Sequence, residues 1–288
     1  MKMRKIDRVK TLLIIGAALF AALFVFSGVM ALRQYNDTQK SEEAFNTVAA
    51  LVKPEPTAVA RSTNPETGHE DSREEDGADE NEGSTEPTMT SYDKYVDVYS
   101  QNSDFIGWIC IDGTKINYPV MQTPNNPDFY LKHSFDKNYS EYGVPYMQEN
   151  CRLGLSDNCI IYGHHMQDGS MFAELCKFES EDFYKEHKTF RFDTLGSFGE
   201  YEIICVFKTS VYSADGFKYY HFVDAANAEE FNAYLSTCRS LALYETGVSA
   251  QYGDKLLTLS TCEYSRTNGR MVIVAKLITP PSEVSGNA

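Results

Sequence analysis

Eight short runs rich in β-branched and aromatic residues, each closed by a turn signal, recur between residues 105 and 278 and commit this chain to a mainly β fold. They lie at 105–111, 115–121, 143–147, 158–163, 189–193, 200–209, 255–261 and 270–278. Strands this short and this numerous suit a closed barrel or a sandwich. Between the sixth and seventh runs, residues 227–243 place Phe231, Tyr234, Leu235, Cys238 and Leu241 three and four positions apart, which predicts a helix with one apolar face. A short helix over 92–99 precedes the first strand, and another is predicted over 171–184. The sequence holds no internal repeat, glycine-rich phosphate loop or cluster of metal-ligand spacing, so neither metal nor cofactor is expected.

The segment before residue 91 has a different character. Lys2, Arg4, Lys5, Arg8 and Lys10 precede 21 uncharged residues, 12–32, long enough to span a bilayer. Basic residues are denser before this span than after it, so residues 1–10 read as a cytoplasmic tail, 11–32 as a transmembrane anchor, and the rest as extracellular. A cleaved signal peptide is the competing reading, with Val29-Met30-Ala31 as its cleavage site, but the apolar stretch is longer than a signal core. Residues 33–52 continue as a short helix with Ala44, Phe45, Val48 and Leu51 on a weak stripe. From Pro54 to Thr90 the chain is acidic and nearly free of large apolar residues, ten carboxylates against one arginine between Asn64 and Pro87. Such a segment cannot offset the entropy of folding and is expected to be a disordered linker. Residues 33–90 thus form a juxtamembrane segment and tether that should add nothing to the core of the folded domain at 91–280, and 281–288 form a flexible tail. The formal charge of −15, much of it in the linker, argues against nucleic acid as a partner.

Chemistry is concentrated at Thr258-Leu259-Ser260-Thr261-Cys262. A cysteine at the C-terminal end of a strand sits at a rim that substrate can reach, and a thiol becomes a useful nucleophile as thiolate, which calls for a histidine or other cation nearby. Arg270 opens the next strand, and the turn-like Ser265-Arg266-Thr267-Asn268-Gly269 joins the two as a hairpin. Upstream, Cys159-Ile160-Ile161-Tyr162-Gly163-His164-His165-Met166 is an apolar strand ending in a histidine pair. In extended backbone successive side chains point to opposite faces, so one of the two histidines faces the thiol. Arg266 lies in the turn and reads as solvated. His69, His133, His187 and His221 lack a partner motif and read as structural or exposed. Of the other six cysteines none forms a C-x-x-C pair, and Cys159 and Cys205 lie in apolar strands as small buried hydrophobes; their redox state is open.

These stretches resemble the sortases, membrane-anchored cysteine transpeptidases of Gram-positive surfaces. The Thr-Leu-x-Thr-Cys strand end, the arginine opening the next strand, and the Gly-His after an apolar strand carry the resemblance. Leu-Ser-Thr-Cys, Tyr-Gly-His-His-Met followed by Asp168-Gly169-Ser170-Met171-Phe172, and Ile116-Asn117-Tyr118-Pro119-Val120-Met121-Gln122 look like class B. The resemblance implies an eight-stranded β-barrel with an N-terminal helix and an additional helix between late strands. It implies Cys262 as nucleophile, His164 rather than His165 as acid–base partner, and Arg270 as oxyanion or substrate-backbone donor. Ser260, Thr261, Glu263, Asn126 and Leu131 would be substrate-proximal, Glu263 being equally readable as a solvent carboxylate. The implied reaction cleaves the C-terminal sorting signal of a secreted protein through a thioester and passes the acyl group to an amine of peptidoglycan, its lipid-linked precursor, or a pilin lysine. The catalytic domain would be monomeric. A papain-like cysteine hydrolase is disfavoured because its cysteine precedes its histidine in sequence. A non-catalytic surface binding module would differ in lacking an activated thiol. Sorting motif, acceptor, and anchoring versus pilus polymerisation are not encoded in the chain.

Overall fold

The computed structural model describes residues 2–54 and 89–278, so the acidic stretch at 55–88, His69 and the tail at 281–288 lie outside the described residues. Helix α1 (Lys2–Ala49) is followed by α2 (Ser91–Gln101), then β1 (Phe105–Cys110), β2 (Asn117–Met121), β3 (Tyr146–Met147) and β4 (Asn158–Tyr162). A 3-10 turn (Ala173–Glu179) and α3 (Glu181–Glu186) lead to β5 (Thr189–Thr194) and β6 (Glu200–Ser210). Helix α4 (Ala228–Ser240), β7 (Leu256–Glu263) and β8 (Gly269–Leu277) follow, with shorter 3-10 turns at Phe129–Leu131 and Tyr219–His221. The strands close into a barrel in the order β1-β2-β3-β4-β7-β8-β6-β5. Each strand coincides within a few residues with a run read from the sequence.

Two pairings in the barrel are parallel, β2 with β3 and β4 with β7; the rest are antiparallel. A parallel pair needs a long crossover. Between β4 and β7 that crossover carries the 3-10 turn, α3, β5, β6 and α4. Its consequence is positional: the C-terminal ends of β4 and β7 reach the same rim, and β8, antiparallel to β7, starts there.

Local chemistry explains the helix boundaries. Thr90 and Asp93 form a reciprocal capping box at the start of α2. Asn227 caps α4 through a hydrogen bond from the Glu230 N–H, and Phe231, Tyr234, Leu235 and Cys238 are buried as their spacing predicts. Leu241 departs from that expectation, since it is the C-cap residue and 38% exposed. The helix expected over 171–184 is broken at Ser180, whose extended backbone ends the 3-10 turn while its side chain caps α3 through the Phe183 N–H.

The N-terminal helix is continuous through residue 49 and has two environments. Its apolar stretch is exposed, with Leu12 at 68% and Phe20 at 74%. Its C-terminal part docks on the barrel. Val48 is buried in a cluster with Tyr95, Trp108, Tyr130 and Tyr146, and Leu51 and Val52 pack against it. Phe45 meets Tyr118 edge to face at 5.0 Å, and the Lys53 N–H donates to the Lys94 carbonyl. The apolar stripe of residues 45–52 therefore contributes to the core of the domain. A four-residue apolar stripe is too weak to reveal docking when its receptor is assembled from distant strands.

Candidate active site

Cys262 lies one residue from the end of β7 and is directly paired with Arg270 on β8. Directly opposed residues of an antiparallel pair project to one face, so thiol and guanidinium share the rim. Both side chains are half-buried. One terminal guanidinium nitrogen of Arg270 donates to the Gly269 carbonyl at 2.9 Å, which holds one arm of the fork while the other keeps further donors.

The parallel register Tyr162 with Ser260 continues past β4, where the Gly163 N–H donates to the Ser260 carbonyl at 3.1 Å and the Thr261 hydroxyl to the Gly163 carbonyl at 2.8 Å. His164 follows immediately. Gly163 is needed for this approach, since a Cβ there would lie 2.5 Å from the Phe172 ring.

The two histidines are distinguished by their hydrogen bonds. His164 places Nε2 2.7 Å from the Leu131 carbonyl. A carbonyl only accepts, so Nε2 carries the hydrogen and the neutral ring keeps Nδ1 free as a proton acceptor. Burial holds His164 below the ordinary histidine value, with Lys132 acting the same way against the Leu131 carbonyl and Glu141. His165 instead donates from Nδ1 to the backbone carbonyl of Cys262 at 2.9 Å, and Cys176 Sγ lies 3.4 Å from the same nitrogen. Its ring sits 5.0 Å from Tyr264, whose hydroxyl donates to the His165 carbonyl. His165 thus buttresses the strand end. Among the described residues no hydrogen bond joins the Cys262 thiol to either ring, a common state of catalytic pairs before substrate binds.

The other predicted site residues separate. Ser260 shares the Cys262 face but is buried, its hydroxyl 2.6 Å from that of Tyr219. Leu131 acts through its carbonyl on His164. Asn126 is exposed in the turn preceding residues 129–131, its backbone hydrogen-bonded locally to Thr123 and Phe129. Thr261 and Glu263 lie on the opposite face of β7 from Cys262. Glu263 is 7% exposed, accepts from the Ser265 N–H and hydroxyl, both at 2.8 Å, and pairs with Lys208 at 3.5 Å. Neither the solvent-carboxylate reading nor a place beside the thiol fits that setting. Arg266 is exposed in the turn.

Sequence reasoning did not single out Tyr219, which lies in the β6–α4 connection. Burial pushes its hydroxyl up to about 12, against the opposing pull of its hydrogen bond with Ser260 and of the Arg270 charge, so it stays protonated. No motif marks it; only the folding of the 211–227 connection onto the sheet brings it there. Among the described residues no group of metal-ligating side chains is assembled.

A sortase domain family model matches residues 109–278. Sortase B of Listeria monocytogenes is 35% identical over 190 residues, 65% of this chain and 75% of that protein. The structure of B. anthracis sortase B in complex with AAEK1 matches with a TM-score of 0.66 at 25% identity, covering 85% of this chain and all of that one. A Staphylococcus aureus sortase B–substrate complex matches with a TM-score of 0.59 at 31% identity, covering 65% of this chain and 85% of that one.

Proposed function

The chain belongs to the sortase family of cysteine transpeptidases, and from that premise we propose that it is a membrane-anchored class B enzyme whose nucleophile is Cys262. His164 takes the thiol proton on Nδ1 as Sγ bonds to the carbonyl carbon of a Thr–Gly or Thr–Asn peptide bond in a sorting signal. The same proton passes to the leaving amine as the C–N bond breaks, leaving a thioester on Cys262. Arg270 donates hydrogen bonds to the oxyanion, a role suited to a permanently charged fork. A second amine then attacks the thioester carbonyl, His164 Nδ1 takes the proton it sheds, an amide forms, and the C–S bond breaks to release the Cys262 thiolate. That amine belongs to peptidoglycan, its lipid-linked precursor or a pilin lysine.

The observation that carries this reading is the shared rim: Cys262 and Arg270 are register partners, and His164 follows the strand paired in parallel with that of Cys262. What supports this location is the apolar part of α1, whose best 18-residue window has a mean hydropathy of 2.6 and is exposed. The basic residues preceding it put the N-terminus in the cytoplasm and the barrel outside. The test uses the full chain in detergent and a panel of internally quenched peptides containing Thr–Gly or Thr–Asn bonds. Cleavage should be accompanied by an acyl adduct on Cys262 that hydroxylamine removes, and Cys262→Ala should abolish both. Cleavage by that variant would refute the assignment.

A further inference from the structure

We propose that the docked end of α1 is a positioning element for His164, with Thr38 fastening the tip of the histidine loop to the segment that follows Leu131. The inference rests on the assignment of His164 and Cys262 given above. The loop at 163–172 is pinned at its base by the Phe172 N–H donating to the His164 carbonyl at 2.8 Å and by a bridge between His165 and Met171. Its tip is held by Asp168. One carboxylate oxygen accepts from the Ser170 N–H at 2.9 Å and hydroxyl at 2.6 Å. The other accepts from the Tyr142 hydroxyl at 2.7 Å.

Tyr142 has a single hydrogen to give, and giving it to Asp168 leaves its oxygen to accept. Thr38 Oγ1 lies 2.6 Å from that oxygen, a separation that requires a hydrogen between the two, so with Tyr142 donating to Asp168 the Thr38 hydroxyl gives its hydrogen to Tyr142 rather than to the Gln34 carbonyl at 3.0 Å or the same carboxylate at 3.4 Å. A relay therefore runs from α1 through Tyr142 to the tip of the histidine loop. Tyr142 belongs to the segment leaving Leu131, whose carbonyl holds His164 Nε2. The helix thus ties together the two loops that flank the catalytic ring.

A second contact acts on the exit of the same loop. Phe45 packs on Tyr118, and the Tyr118 hydroxyl accepts from the Met171 N–H at 3.1 Å. Met171 is 1% exposed with φ of 58°, a left-handed conformation that a side-chain-bearing residue keeps only where its surroundings hold it. The apolar span that carries the enzyme in the membrane is continuous with the helix that braces its histidine, so anchoring and catalytic geometry share one element.

The full chain in detergent is assayed with the quenched peptide that the wild type cleaves, comparing Thr38→Val, Thr38→Ser and Asp168→Asn. Thr38→Val keeps the shape and removes the hydroxyl. It should lower kcat about tenfold with KM within about twofold, as expected for a misplaced catalytic group rather than lost binding. Thr38→Ser should restore kcat, and Asp168→Asn should resemble Thr38→Val. Amide exchange should accelerate at 164–172 and not in β7 or β8. Wild-type kcat in Thr38→Val, or a loss in Thr38→Ser equal to that in Thr38→Val, would overturn the proposal. Cys262→Ala runs alongside: cleavage by that variant sinks the nucleophile assignment, whereas an inactive Cys262→Ala beside a fully active Thr38→Val sinks the bracing alone.

Discussion

Lys208→Met should lower the stability of the barrel by about 3 kcal/mol, because it strands a carboxylate inside the β6–β7–β8 sheet. The Lys208 and Glu263 side chains are each 8% exposed, whereas the second partner of Lys208, Glu179, is 60% exposed. Removing one member of a buried pair costs about 3–5 kcal/mol through the uncompensated charge. The lower end applies here because Ser265 keeps two hydrogen bonds to the carboxylate. For a domain of this size the melting temperature should fall by roughly 6–12 °C. The double variant Lys208→Met/Glu263→Gln should recover most of the loss. The effect has a pH signature. Burial pushes the Glu263 carboxyl up, but Ser265 and Lys208 outweigh it and hold it below its usual 4.5. A carboxyl lowered on folding stabilises the protein above its unfolded value and ceases to do so as pH falls through its folded value. The gap in melting temperature between wild type and Lys208→Met should therefore be full at pH 7 and close as pH falls below 4.5 through the lowered folded value. The measurement is thermal denaturation by circular dichroism across that range. An unchanged melting temperature, or a double variant less stable than Lys208→Met, would refute the reasoning. A Glu263→Gln variant that melts normally but binds peptide more weakly would return Glu263 to the substrate groove.

Three further outcomes are expected. His164→Ala should lower peptide cleavage by about 10²–10⁴-fold, the usual share of a general acid–base, while His165→Ala, which removes only a backbone buttress, should lose less than about tenfold; steady-state kinetics decide, and the reverse ranking moves the role to His165. Burial holds His164 below 6.5, so its neutral form should persist and the acidic limb of the kcat/KM profile should fall below that value; the folded state loses stability as pH drops through the lowered value, and His164→Ala should remove that loss from a pH series of melts. Removing residues 1–32 should leave melting unchanged, whereas removing 1–53 should cost about 3 kcal/mol, the burial of Val48 with half of Phe45 and Leu51, read as a lower melting temperature.

Much of this protein is decided locally and can be read from the chain. Strand runs and the helix over 227–243 follow from side-chain period, and the apolar face of α4 is where spacing puts it, because periodicity directly reports which side chains leave water. The pairing of Cys262 with Arg270 is also local, since a five-residue turn between two strands sets the register of a hairpin. What the chain could not declare are the long-range contacts. The parallel pairing of β4 with β7 crosses some ninety residues, and it alone brings His164 to the thiol's rim and hands its Nε2 to the Leu131 carbonyl. The setting of Glu263 was hidden for the same reason: the chain leaves a substrate-proximal and a solvent carboxylate equally open, whereas its burial and its partner Lys208 depend on β6. The docking of residues 38–53 was invisible because a weak apolar stripe acquires meaning only against Tyr118, Tyr142 and Trp108, which distant strands and loops bring together. Backbone preference and periodicity act within a few residues, whereas burial and charge pairing depend on which surfaces meet, and that is settled only when the barrel closes.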